Sequence, residues 1–183
     1  MKKISIIIII AIVTFFGIAH SSLAMSAHQL DKKSKKALAE LYRKNPKAEA
    51  LGKKAVAVLI FPEIIKAGFM IGGQRGDGAL IRGGSVVGYY NTTAASYGFQ
   101  AGIQKFGYAL FFMNEKSLDY LNNSDGFELG AGPSIVVVDA GYASSFSTTT
   151  LQKDIYAFFF SQKGLMAGIG IQGTKITKFT PSW

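Results

Sequence analysis

The 183-residue sequence contains no cysteine, two histidines and a single tryptophan. Without cysteine the chain can form no disulfide, no thiol nucleophile and no thiolate-bound zinc or iron–sulfur site. It also cannot be a cysteine-acylated lipoprotein. Because His20 lies in an N-terminal segment that is predicted below to be removed, His28 is the one histidine left for the rest of the chain, which excludes a two-histidine metal site there.

A long apolar run occurs at the N-terminus alone. Lys2 and Lys3 precede a stretch from residue 4 to residue 18 that is almost entirely apolar, and Ser22-Leu23-Ala24 follows with small residues at the first and third positions. This arrangement predicts a signal peptide over residues 1–24, removed after Ala24. Residues 25–183 are then exported, and we expect them in the periplasm. An uncleaved N-terminal anchor is the alternative.

Positive charge is concentrated just after the predicted cleavage site. Residues 25–55 carry nine basic and three acidic residues, a net charge of +6, whereas residues 56–183 carry nine and eight, a net charge of +1. A cationic segment of this kind points to an anionic partner. For an exported protein, an anionic phospholipid or membrane surface is the expected partner rather than nucleic acid; protein partners stay open.

The basic segment has helical periodicity. At ~100° per residue, one side of the helix is mainly apolar and the opposite side is basic. The first side consists of Leu30, Ser34, Ala37, Leu38, Leu41 and Tyr42, and the opposite side of Lys32, Lys35, Lys36 and Arg43. Asn45-Pro46 predicts the end of this helix and the start of another, with Asn45 as the cap. We therefore divide the chain into the signal peptide, a basic helical arm over residues 25–54 and a β-rich body over residues 55–183, with arm and body forming one domain.

The body consists of short apolar runs separated by glycine, asparagine or aspartate, which predicts an antiparallel sheet. A short helix is predicted at 115–121 with Asn114 as its cap, and a further helical turn at 63–66. Several runs, such as residues 135–138 and 158–160, are apolar on both faces and suit strands that are covered on both sides. The fold class is therefore α+β, with a barrel- or sandwich-like sheet, N-terminal amphipathic helices and one or two short internal helices. The candidate strands are 55–61, 67–74, 78–82, 85–91, 97–104, 107–113, 127–131, 134–138, 155–161, 165–172 and 174–179.

A five-residue phrase with glycine at both ends and a large apolar residue in second position occurs four times, beginning at Gly68, Gly98, Gly126 and Gly164. The spacing of four places both glycines on one face of a strand, so we expect strands that bend or pack closely there. The segment from Gly72 to Gly78 resembles a phosphate loop but lacks the lysine followed by serine or threonine that such a loop requires. A glycine-rich hairpin turn is the preferred interpretation of that segment.

No catalytic constellation is visible in the sequence. A G-x-S-x-G elbow is absent. Four aspartates near predicted turns could collect a hard cation, but their spacing matches no known calcium loop. We therefore predict a protein that is not an enzyme, with no catalytic residue, no metal ligand and no cofactor. The four aspartates are Asp119, Asp125, Asp139 and Asp154.

The chain resembles the SYLF domain, a lipid-binding domain also found in yeast actin regulators. The resemblance covers residues 28–178 and departs from many relatives at residues 89–93, which read Tyr-Tyr-Asn-Thr-Thr in place of a tryptophan-serine-x-proline stretch. It implies lipid binding through a basic amphipathic N-terminal segment; actin binding is not expected of an exported protein. The matching residues are Ala57–Pro62, Lys66–Phe69, Gly73–Gly78, Ser96–Gln104 and Gly164–Gly168.

Composition and resemblance together predict a non-catalytic protein that associates peripherally with anionic membranes. The alternative is a small outer-membrane β-barrel or structural cell-envelope protein, against which the two-sided apolar strands argue. In the preferred interpretation, cations meet the headgroups, and apolar residues of the same helix either dock on the domain or insert. The predicted lipid-binding residues are Lys32, Lys33, Lys35, Lys36, Leu38, Leu41, Tyr42, Arg43 and Lys44.

Overall fold

The structure, a computed structural model, describes residues 25–123, 127–128, 132–138, 153–164 and 173–182. These residues form three helices and one six-stranded sheet, so the predicted α+β class is confirmed. The helices are α1 (Ala27–Lys44), α2 (Pro46–Gly52) and α3 (Glu115–Asn123). The strands are β1 (Ala57–Arg82), β2 (Ser85–Phe112), β3 (Phe127–Glu128), β4 (Ile135–Val138), β5 (Ile155–Gly164) and β6 (Lys175–Phe179).

The helix boundaries follow from side-chain caps. Ser26 caps α1, and the Asn45 side chain accepts hydrogen bonds from the backbone N–H groups of Lys47 and Ala48, both at 3.1 Å. The predicted break at Asn45-Pro46 is therefore confirmed. Asn114 caps α3 by accepting from the backbone N–H of Ser117 at 2.9 Å, also as predicted.

Two long strands dominate the sheet. β1 has 26 residues and β2 has 28, and they pair antiparallel along their whole length around a turn at Gly83-Gly84, where both glycines have positive φ. Each of these two strands spans three of the strands predicted from the sequence. The helical turn predicted at 63–66 is wrong: these residues belong to β1, because Ile64 is buried in the core opposite Phe106.

The hairpin bends sharply at its middle. In an extended strand, residues four apart are about 13 Å apart, yet a Cβ atom at Gly68 would overlap the Cα atom of Gly72. The partner strand has Gly102 opposite Gly68, with φ of +140°. The first copy of the repeated glycine phrase thus marks a bend, as predicted.

The bend brings the two halves of the hairpin face to face. A Cβ atom at Gly76 would lie 2.6 Å from Ile64 Cγ1, and one at Gly78 would lie 2.6 Å from the carbonyl oxygen of Ile60. The hairpin turn predicted within Gly72–Gly78 is therefore wrong. These residues continue β1, and their glycines make room for the other half of the same strand.

β2 is the central strand. One of its edges pairs with β1, and the other pairs with β6 at residues 89–93 and with β5 at residues 104–112. β3 continues the sheet antiparallel to β6, and β4 runs parallel to β5.

Apolar clusters cover both faces of the sheet, as the two-sided apolar runs predicted. The inner cluster lies between the halves of the bent hairpin and under α3; it includes Phe61, Tyr108 and Leu118. The outer cluster joins β1, β2 and β5 to α1 and α2; it includes Ile60, Phe111, Phe158 and Leu41.

Some predictions fall outside the described residues. These are the signal peptide over residues 1–24, the strand over 165–172, and most of the third and fourth glycine phrases.

Candidate functional site

α1 has a buried stripe and an exposed basic side. The stripe packs on the sheet and consists of Ala27, Leu30, Ser34, Leu38 and Leu41. The basic side, as we call it here, is exposed and consists of Lys32, Lys33, Lys35, Lys36, Arg43 and Lys44. A helical repeat of ~3.6 residues separates these two sets because the apolar residues recur at three- and four-residue intervals.

The structure therefore divides the predicted lipid-binding residues in two. The six cations face solvent together, whereas Leu38 and Leu41 are 8% and 5% exposed and lie in the outer cluster. These two leucines dock on the domain, one of the two roles that the sequence left open for them. They could reach a bilayer only if α1 left the sheet.

Tyr42 is docked as well. Its ring lies 6.3 Å from that of Phe111, and a methyl group at Gly52 would overlap its hydroxyl. Burial, helped by the charge of Glu49, raises the pKa of Tyr42 to about 12. The phenol therefore stays neutral and belongs to the contact between the helices and the sheet.

Few carboxylates oppose the basic side. Glu40 pairs with Lys44 at 2.7 Å, which lowers the pKa of this carboxyl group, and Asp31 turns toward the sheet and accepts a hydrogen bond from the Tyr89 hydroxyl at 2.9 Å. Among the described residues, Lys32, Lys33, Lys35, Lys36 and Arg43 take part in no salt bridge. Their charge is therefore available to an anionic surface.

A broad depression of about 390 Å³ lies at the start of α1, lined by Met25, Gln29, Lys32 and Lys33. It places two lysine side chains beside a methionine and an amide. Sequence reasoning missed this depression, because Met25 and Gln29 belong to no distinguishing pattern.

A second cleft of about 330 Å³ lies where α3 meets the start of β5. Asp154 lines it and accepts hydrogen bonds from the Asn114 side chain and from the backbone and hydroxyl of Ser134, at 2.8–2.9 Å. These bonds hold the pKa of Asp154 below its usual range. Since both oxygens of the carboxylate are engaged, Asp154 ties the cap of α3 to the sheet.

The part of the chain that the structure describes holds no group of three potential metal ligands. Asp119, one of the aspartates considered for a cation, is exposed on α3. Asp125 and Asp139 lie outside the described residues. No helix among those described is both long and apolar enough to cross a membrane.

The fold and this surface define an α+β domain whose positive charge is concentrated on one exposed helix side. Residues 93–180 match the family model described as Ysc84, a Las17-binding protein actin regulator. The resemblance to the SYLF domain is thereby confirmed over this segment. No curated protein matches the chain.

The matched segment covers β2 from residue 93 onward, α3 and the strands that follow, including the Ser96–Gln104 motif. It begins after α1, α2 and β1. The family match therefore bears on the sheet and not on the basic side of α1.

Proposed function

We propose that this protein is a non-catalytic, peripheral lipid-binding protein, and that the basic side of α1 is the surface that meets anionic phospholipid. The observation that carries the proposal is the geometry of that helix: six cations are exposed together while its apolar stripe is buried. Association of the SYLF domain with lipid binding and actin regulation supports the same function.

Electrostatics favours a membrane surface as the partner. A lysine or arginine near an anionic leaflet contributes about 1 kcal/mol, and this attraction decays within a Debye length of ~10 Å at 0.1 M salt. An 18-residue helix lies flat along the domain and can present several cations to one plane at once. Binding should therefore require anionic lipid and weaken with salt.

The same reasoning extends to location. A leader over residues 1–24 would deliver the chain across the inner membrane, and we propose that residues 25–183 reside in the periplasm at a membrane surface. Cell fractionation tests this: high salt should release the protein from membranes without detergent. Recovery in the cytoplasm would contradict it.

The test of the lipid surface is vesicle flotation with a charge-reversal variant. Changing Lys32, Lys33, Lys35 and Lys36 to glutamate should weaken binding to anionic vesicles at least about a hundredfold, since four favourable terms of about 1 kcal/mol are removed. The wild-type protein should not float with neutral phosphatidylcholine vesicles.

The matched control changes four exposed lysines elsewhere to glutamate, namely Lys116, Lys153, Lys175 and Lys178. This control changes the net charge by the same amount as the α1 variant. Comparing the two variants therefore shows whether binding depends on where the charge lies or only on its total. Equal losses in both variants, or equal binding of the wild type to neutral vesicles, would refute the proposal.

A further inference from the structure

Among the described residues, α1 and α2 cover one end of the outer face of the β1–β2 hairpin and leave the other end exposed. Phe111 and Ala109 of β2 lie on this face beneath α1 and α2 and are fully buried. Because side chains alternate along a strand, Lys105 and Ile103 continue the same face. Both are exposed, Ile103 to 63%.

Phe160 marks the boundary between the two ends. A Cβ atom at Gly107 would overlap the Phe160 ring, so this ring lies directly over the β2 backbone next to the helix-covered region. Beyond it, β5 contributes Lys163, which pairs with Lys105 in the sheet register and is exposed.

The bare end carries large apolar side chains in solvent. Along β1, Ile65 is 45% exposed and Ile71 is 66% exposed, and every second residue from 65 to 67 and from 71 to 75 is exposed. In the register, Ile65 lies opposite Lys105 and Ala67 lies opposite Ile103. Ile65 and Ile103 therefore lie on one sheet face, and Ile71 is exposed at the bend itself.

Two cations lie beside Ile65 and Ile103. Lys105 and Lys163 are exposed there, and Glu63, 3.7 Å from Lys105, is the carboxylate among the described residues of this face. We name the set of Ile65, Ile71, Ile103, Lys105 and Lys163 the bend patch.

We propose that the bend patch is a second bilayer contact, in which its isoleucines enter the acyl region and its cations meet headgroup phosphates. Apolar side chains beside positive charge complement an anionic bilayer, which offers hydrocarbon beneath a negative surface. The inference rests on the proposed function but adds an apolar, salt-resistant contact to the charged one.

The bilayer contacts of the bend patch and of α1 differ in their sensitivity to salt. Salt screens exposed charges but does not weaken apolar burial. At about 0.5 M salt the residual vesicle binding should therefore depend on the bend patch more than on α1. Changing Ile65 and Ile103 to serine should lower that residual binding about tenfold, while the stability of this double variant stays close to that of the wild type because both side chains are exposed.

Val87→Ser is the matched control. Val87 is a β-branched strand residue of β2, 54% exposed, and it lies near the turn at Gly83-Gly84 rather than at the bend. Its substitution should leave vesicle binding unchanged. An equal loss in this control would overturn the assignment to the bend patch.

A tryptophan probe tests insertion directly. With Trp183 changed to phenylalanine, Ile103→Trp places the chain's single indole in the bend patch, and Val87→Trp places it at the control position. On anionic vesicles the fluorescence of the indole at position 103 should shift to the blue and be quenched by brominated acyl chains. The fluorescence of the indole at position 87 should show neither effect.

The outcomes separate the two proposals. If the protein floats with anionic vesicles but the indole at 103 stays in water, the proposal for the bend patch is wrong and the proposal for the basic side of α1 stands. If the wild type does not float at all, the proposed function fails first. If Ile65 and Ile103 substitutions abolish a dimer in sedimentation and leave vesicle binding intact, the face binds a second copy of the chain and the bilayer proposal is overturned.

Discussion

Thr92 and Tyr108 show at the scale of single residues how the bent hairpin is held closed. Both belong to β2, sixteen positions apart, yet their hydroxyls lie 2.8 Å apart in the fully buried inner cluster. Burial raises the pKa of Tyr108, so the phenol stays protonated as a partner for the threonine. One polar pair thus spans the space between the two halves of one strand.

Tyr108→Phe should destabilise the protein by about 1–2 kcal/mol, because it leaves the buried Thr92 hydroxyl without its partner. Chemical denaturation measures this change. Adding Thr92→Val to the same variant should recover part of the loss, since replacement of both partners by apolar groups of similar shape is nearly neutral. Strictly additive losses in the double variant would speak against this pairing.

At the scale of whole elements, β1 is one continuous strand, although its local composition indicates interruptions. The sequence correctly indicated apolar strands around residues 57–61 and 78–82, and it correctly placed the caps at Asn45 and Asn114. It missed that the intervening residues stay in the strand. Local signals such as Pro62 and the Gly72–Gly78 cluster are typical of interruptions, whereas pairing with β2 through Ile64 and the contact of Gly76 with Ile64 are set by residues distant in the chain.

Gly76→Ala should destabilise the protein by about 1–3 kcal/mol, since the new methyl group would lie 2.6 Å from Ile64 Cγ1 and 2.8 Å from the Glu63 carbonyl oxygen. Thermal and denaturant unfolding measure the effect. Gly73→Ala is the control from the same strand: its Cβ would lie 3.6 Å from the nearest atom, the Ala94 oxygen, so its effect should be small or slightly stabilising. If both substitutions behave alike, close packing between the halves of β1 is not what Gly76 provides.

The whole molecule combines a charged helix side with a sheet face that the helices only partly cover. The helical period correctly placed Lys32, Lys35, Lys36 and Arg43 opposite the buried leucines, and the structure adds Lys33 and Lys44 to the exposed set. The sequence pattern could not decide whether Leu38, Leu41 and Tyr42 dock or insert, because an amphipathic helix has the same pattern in both cases. The bend patch was not predicted, since Ile65, Ile71 and Ile103 share a region through strand register and a bend, neither of which is visible in the local sequence.

Tyr42 reports whether α1 stays on the sheet when the molecule meets a membrane. Its folded pKa of about 12 exceeds the ordinary value of about 10, so the stability linked to it is fully present below about pH 10 and is lost as pH rises through 12. On anionic vesicles at about pH 10, an ordinary tyrosine would be half ionised, whereas a docked Tyr42 should remain protonated. The tyrosinate absorbance of wild type minus that of Tyr42→Phe isolates this residue; ionisation on adding vesicles would mean that α1 undocks.

The central position of β2 also sets an order of assembly. The turn at Gly83-Gly84 lets β1 and β2 pair as soon as residue 112 is available, by contacts that grow outward from neighbouring residues. The strands that cover the other edge of β2 come only at residues 155–164 and 175–179. Until these residues arrive, the free edge of this 28-residue strand exposes the backbone donor and acceptor of about every second residue, a template for pairing between chains. A growing chain is thus most prone to aggregate after its longest hairpin has formed and before its last strands close it.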